Sequence, residues 1–221
     1  MLFRRATFIA ELAKGKRVLD IGCVNHTLET RHPKYWVHGI LRESAAHLVG
    51  LDYEKDAVES LRREGFNVVC ADATDFTLDE QFDLIVAGEI IEHLTSPGKL
   101  LDCAKRHLAP QGQLILTCPN ALNILYFLEN CLLGHEIANT DHTCLFTPPT
   151  MTLMLRKCGW RLVSYHFVAE NLAFYKRTVP HKALAHVMWA MQVMAGVFQP
   201  ALCKNFIAVA EPVKGSGGSV S

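Results

Sequence analysis

The chain has 221 residues, half of them apolar, with 22 Lys and Arg against 22 Asp and Glu. It can bury a sizeable core in one unit, and it has no global field to concentrate a polyanion or an anionic membrane, which weighs against RNA as the main ligand. The eight cysteines are scattered without a C-x-x-C pair, so a secreted disulfide framework is excluded and a reducing cytoplasmic setting is expected.

The opening MLFRRATFIAELAKGKR is basic, but its apolar segment is short and interrupted and no small-residue cleavage site follows, so it reads as a first helix, not a signal peptide. Short Val/Ile/Leu runs then alternate with stretches of helical period, the pattern of a parallel sheet covered on both faces. Strands are expected at about 17–22, 47–52, 67–71, 82–87, 112–118, 160–167 and 204–210. Helices are expected at about 54–64, 97–108, 121–132, 147–158 and 182–198. Pro97 suits a first helical turn, and Gly65 and Gly112 mark helix ends.

Two regions are irregular. Residues 24–46 are rich in His and aromatics, and 119–146 turn from apolar to polar and read as an inserted lid or substrate region. In an open α/β sheet ligands bind beyond the carboxyl ends of the strands, so these loops should line the site. The apolar segment 182–200 contains His186, Gln192, Gln199 and Pro200, which disqualifies it as a membrane span. Its Met-rich stripe reads first as core, with a cover for a lipid-linked substrate, a peripheral membrane contact or a dimer seam as alternatives. Residues 1–213 are expected to form a single domain, and GSGGSVS at the end of 214–221 has the composition of a flexible tail.

The carboxyl ends of the first four strands share one chemistry: Asp20-Ile-Gly22-Cys23, Asp52-Tyr53, Asp72-Ala73 and Gly88-Glu89. A single such acid is as well explained by a helix cap or a loop. Four in succession suit a ligand with vicinal hydroxyls and an amine, whereas a pyrophosphate would want backbone N–H groups without negative charge. Neither G-x-G-x-x-G nor G-x-x-x-x-G-K-[ST] is present, so dinucleotide and triphosphate cradles lack their usual support.

In VLDIGC, LVGLDYEKDAV, CADATDF, FDLIVAGEIIEHL and LAPQGQLILTCPN the chain resembles the class I S-adenosylmethionine-dependent methyltransferases over about residues 16–168. The resemblance implies a three-layer Rossmann-like α/β sandwich with a seven-stranded, mostly parallel sheet whose last strand is antiparallel. It implies S-adenosylmethionine as cofactor. Gly22 and Cys23 would let the backbone approach the methionine part, and Asp20 would support that turn and meet the amino group. Asp52, followed by Tyr53, would accept both ribose hydroxyls, Asp72 with Ala73 would face the adenine, and Gly88 and Glu89 would end their strand beside the cofactor. The family's run of glycines is reduced here to Gly22, followed by Val24-Asn25-His26.

Glu89, Glu92 and His93 are spaced i, i+3, i+4, which on a helix brings all three to one face. Two carboxylates and an imidazole there would repel unless a cation or a substrate proton sat between them, and oxygen-plus-imidazole ligands suit Mg²⁺, Mn²⁺, Fe²⁺ or Co²⁺. With His142 ahead of the Thr147-Pro-Pro-Thr150 helix start, E-x-x-E-H resembles the ubiquinone-pathway O-methyltransferases and the small-RNA 2′-O-methyltransferases. That resemblance implies Glu89, Glu92, His93 and His142 as metal ligands, with Glu92, His93 and His142 serving catalysis. The alternatives are a metal-independent O- or N-methyltransferase with His93 as base, an RNA 2′-O-methyltransferase, and a non-catalytic cofactor-binding partner. The expected acceptor is a hydroxyl on a small molecule, glycan or lipid-linked compound. Tyr35, Trp36, His38, Tyr126 and Phe127 either touch that acceptor or close the core.

Overall fold

The computed structural model describes residues 5–24, 36–124, 126–127, 131, 141–168, 187, 190–191, 193–194 and 196–213. The apolar runs form β1 (Arg17–Ile21), β2 (His47–Asp52), β3 (Val68–Cys70), β4 (Phe82–Gly88), β5 (Leu108–Pro119), β6 (Trp160–Val168) and β7 (Asn205–Pro212). They make one seven-stranded sheet ordered β3-β2-β1-β4-β5-β7-β6. The first five strands pair in parallel, and β7 runs antiparallel to both β5 and β6, as expected of the last strand. The strand order reverses beside β1, where β4 takes up its free edge, and a crevice opens at the carboxyl end of such a switch point.

Alternation along the strands divides the core. Val18, Leu84, Val86, Ile115 and Ile207 pack with Ile9 and Leu41 of α1 (Arg5–Ala13) and α2 (Val37–Ser44). Leu19, Ile85, Leu114 and Phe206 pack on the other face with Leu101 of α4 (Pro97–His107) and Leu155 of α5 (Pro148–Lys157). α3 (Lys55–Arg63) adds Val58 and Leu61 to a smaller cluster with Cys23, Trp36 and Val68. Each such large apolar side chain contributes about 1.5–3 kcal/mol on full burial. Four of the eight free cysteines, Cys23, Cys103, Cys118 and Cys203, are buried among them.

Three expectations need correction. The region 24–46 is not irregular throughout, because Val37–Ser44 form α2. Its inward face has only His38 and Leu41, and a histidine with an adjacent helix-weakening Gly39 hides the period. Nor do Glu89, Glu92 and His93 share a helix. The Glu89 N–H still donates to the Thr117 carbonyl of β5 at 2.9 Å, and Glu89 sits at φ 54°, so the chain cannot wind into a helix until the single 3-10 turn Ile91–His93.

The third correction concerns the late Met-rich stripe. Its described residues are helical at 187, 190–191, 193–194 and 196–198, but Met194 and Phe198 are 61% and 84% exposed, which is not core. The expected helix 121–132 is described at 121–124, 126, 127 and 131, of which 124, 126, 127 and 131 are helical and 121–123 are not. Tyr35, Asn25, His26 and the tail 214–221 lie outside the described residues. No helix among the described residues is long and apolar enough to cross a membrane.

The segment before β7 is tied down by Asn120, fully buried at the end of β5. Its amide donates to the carbonyls of Ala201 at 2.6 Å and Cys203 at 2.9 Å. Asn120→Ala should cost about 1–3 kcal/mol by orphaning both carbonyls. The measurement is the urea midpoint at unchanged m-value, and a parental midpoint would refute this role.

Candidate active site

The sheet order sets the ends of β3, β2, β1 and β4 side by side, so the acids expected to hold a cofactor line one edge. Gly22 turns the chain out of β1 at φ 80°, a left-handed conformation that a side chain would strain. Asp52, 6% exposed, accepts the Val24 N–H on Oδ2 at 2.9 Å and the Glu54 N–H on Oδ1 at 3.2 Å. It thereby ties the loop after β1 to the start of α3. Burial pushes its pKa above the usual carboxylate range, against the pull of those N–H donors.

Tyr53 is largely exposed beside it. Asp72 accepts both the N–H and the O–H of Thr74 on Oδ1, at 2.7 and 2.8 Å. These bonds hold its pKa below the usual range and leave an ionised carboxylate at the surface. Ala73 is buried behind it, and Cys23 is a buried thiol, held protonated chiefly by desolvation and then by the charges of Asp20 and Asp52.

Of the four residues expected as metal ligands, three lie together. Glu92, His93 and His142 each offer a ligand atom, all within 4.8 Å of one another, and the two imidazoles meet edge to face at 4.8 Å between centroids. The segment carrying His142 is drawn in by Glu92 itself, whose carbonyl accepts the N–H groups of Thr143 and Cys144. The Thr143 hydroxyl also donates to the Leu94 carbonyl at 2.8 Å. His93 Nδ1 donates to the Asp141 carbonyl at 3.2 Å, which places the lone pair of the neutral ring on Nε2.

Glu89 stands apart from that group. One oxygen meets Arg5 at 3.0 Å and the Thr117 hydroxyl at 2.8 Å, and the other accepts from Asn205 at 2.9 Å. Glu92 is its opposite: 2% exposed, with an Oε2 that has no hydrogen-bond partner among the described residues. Burial, then the nearby charge of Glu89, push its pKa up to about 8, while Arg5 pulls the other way. A buried oxygen without a partner beside two imidazoles is a place where a cation or a proton belongs.

Ligands of one ion with bonds of about 2.1 Å stand about 3 Å apart when adjacent and about 4.2 Å apart when opposite, so the three side chains could hold a divalent ion only after drawing closer together. One carboxylate and two imidazoles suit Mn²⁺, Fe²⁺ or Co²⁺ better than Mg²⁺, which prefers oxygen.

Sequence reasoning missed the partners of Glu89. Thr117 and Asn205 are single polar residues in or beside apolar strands, a visible oddity, whereas Arg5 carries no signal at all. Among the aromatics left open between touching an acceptor and closing the core, two are decided. Trp36 is 9% exposed, donates through Nε1 to the Cys23 carbonyl at 2.8 Å and packs on Phe66. His38 is 1% exposed and faces Asp20. Neither can touch an acceptor. Phe127 is 63% exposed.

This chain belongs to the methyltransferase-domain family, whose profile it matches over residues 2–165. It is 29% identical over 131 residues to the ubiquinone biosynthesis O-methyltransferase of Pasteurella multocida (strain Pm70), covering 52% of each chain. It is 31% identical over 181 residues to that of Glaesserella parasuis serovar 5 (strain SH0165), covering 69% of this chain and 70% of the relative. The chain thus spans between about half and 70% of the length of these relatives. Among solved structures, a SAM dependent methyltransferase from Archaeoglobus fulgidus shares the fold, with a TM-score of 0.61 at 18% identity over 92% of this chain and 89% of that one.

Glu92 also makes stability depend on pH. A carboxyl raised from 4.5 to about 8 keeps a proton in the folded state that the unfolded chain gives up. Its contribution is fully present below the unfolded value and is lost as pH rises through the folded one. Urea unfolding in metal-free buffer at about pH 5 and about pH 8 should show the parent losing more stability over this window than Glu92→Gln. Equal losses would remove the raised pKa.

Proposed function

We propose that this chain is an S-adenosylmethionine-dependent O-methyltransferase acting on a small-molecule hydroxyl, assisted by a divalent cation. The observation that carries the reading is the juxtaposition of Glu92, His93 and His142 with a sheet edge on which Gly22, Asp52 and Asp72 succeed one another. Similarity to two ubiquinone biosynthesis O-methyltransferases supports transfer to oxygen, and the balanced charge disfavours RNA as acceptor.

S-adenosylmethionine, when bound, supplies an electrophilic methyl group on a cationic sulfur. The Gly22 turn lets the backbone approach the methionine part. Each Asp52 oxygen already accepts one N–H and has a second lone pair for a ribose hydroxyl. Asp72 stays ionised and can accept from an exocyclic amine.

The acceptor hydroxyl has a pKa far above neutrality and must lose its proton to attack. A divalent ion held by Glu92, His93 and His142 would supply the positive charge that eases this loss. His93 presents Nε2 to the acceptor side because Nδ1 is committed to the Asp141 carbonyl. The same anchoring favours a second reading, in which His93 takes the proton directly without metal. In either case the fixed side chains hold the acceptor oxygen in line with the methyl group, and positioning supplies much of the acceleration.

Two measurements test the proposal. Asp52→Ala should weaken binding of S-adenosylhomocysteine by about tenfold to a hundredfold, the loss of two hydrogen bonds to a charged acceptor; unchanged calorimetric affinity would remove the ribose assignment. Excess chelator should abolish methyl transfer to a phenolic or catecholic acceptor, and Mn²⁺ should restore it. Full activity under chelation would select His93 as the base.

A further inference from the structure

We infer that His38 is a positioning residue for the cofactor loop, acting through Asp20 and resting on the cofactor reading above. Both side chains are buried, at 1% and 3% exposure, and Nδ1 of His38 donates to Asp20 Oδ2 at 3.0 Å. No solvent competes for this bond, so it determines where the Asp20 carboxylate stands.

The space for His38 is made by a glycine. In the strand register Gly50 of β2 lies directly beside Asp20 of β1. A Cβ on Gly50 would stand 2.7 Å from the His38 Cε1, 2.8 Å from the Cys23 Sγ and 2.8 Å from the Val68 Cγ1. The imidazole therefore occupies the volume of a missing side chain, reaching from α2 across β2 to the carboxylate. Trp36 and Phe66 close over the ring with centroids 5.7 and 5.6 Å away.

Trp36, the N-cap of α2 two residues earlier, serves the same end. Its indole N–H holds the Cys23 carbonyl, so two residues at the start of α2, separated only by Val37, grip both sides of the Gly22 turn. Asp20 stands two residues before Gly22, where the backbone would meet the methionine end of the cofactor. Under the cofactor reading, a carboxylate at this turn would serve the ligand's amino-acid end and not its adenosine. The consequence is specific: loss of the His38 bond should harm recognition of the amino-acid end while sparing the nucleoside end.

The test compares S-adenosylhomocysteine with 5′-methylthioadenosine, which keeps the nucleoside and lacks the aminobutyrate, by calorimetry on the full chain. His38→Phe keeps a ring in the space and removes the donor. It should weaken S-adenosylhomocysteine about tenfold, the scale of one charge-assisted hydrogen bond, and methylthioadenosine by less than about twofold. His38→Asn, whose amide can stand where Nδ1 stood, should recover most of the loss. Gly50→Ala should reproduce the selective loss by displacing the ring. Equal weakening of both ligands by His38→Phe, or an unchanged affinity for S-adenosylhomocysteine, would overturn the positioning role. A wild-type chain that binds neither ligand would overturn it together with the cofactor reading, whereas selective binding with unselective variants would overturn it alone.

Discussion

A carboxylate drawn out of water must find a partner, and the carboxyl edge of this sheet is organised by how four of them do so. Asp20 takes the imidazole of His38, and Asp52 takes two backbone N–H groups. Glu89 takes a guanidinium, a hydroxyl and an amide. Glu92 has an oxygen with no such partner among the described residues, and it lies against two imidazoles. The three partnered acids are held in fixed positions, and the fourth keeps an oxygen without a hydrogen-bond partner among the described residues.

The partners come from remote parts of the chain. Arg5 belongs to the first helix, and Asn205 opens the last strand, 116 residues after Glu89. Asn205 arrives there because β7 inserts antiparallel between β5 and β6, which starts it at the edge where the parallel strands end. Asn120 then pins the approach to β7 by two carbonyls. The antiparallel strand is thus part of the site's support as well as of the core. The same economy appears at Gly50, where the absence of a side chain in β2 lets α2 reach the end of β1.

The strands were legible because Val, Ile and Leu runs buried on both faces leave a pattern that short-range periodicity detects. The acids after them were legible as a series, and Glu92, His93 and His142 could be nominated from residue type alone. α2 was not legible, since its two buried positions are a histidine and a leucine around a glycine. Nor was the break after β4: an i, i+3, i+4 spacing reads as a helical face, but one more hydrogen bond to β5 keeps Glu89 on the sheet and turns it toward Arg5.

By itself, the sequence determined the sheet, the succession of carboxylates along its edge and the residue types available for methyl transfer, because these follow from local pattern and composition. Only the tertiary structure decided which acid has both oxygens partnered and which keeps one without a partner among the described residues. That choice depends on who stands within about 3 Å of each oxygen, and Arg5, His38, Thr117 and Asn205 come from four different elements. It also decided that Trp36 and His38 face inward and that Met194 and Phe198 face outward. Burial is a property of what packs around a residue, and no local pattern carries it for a single aromatic or a short helix.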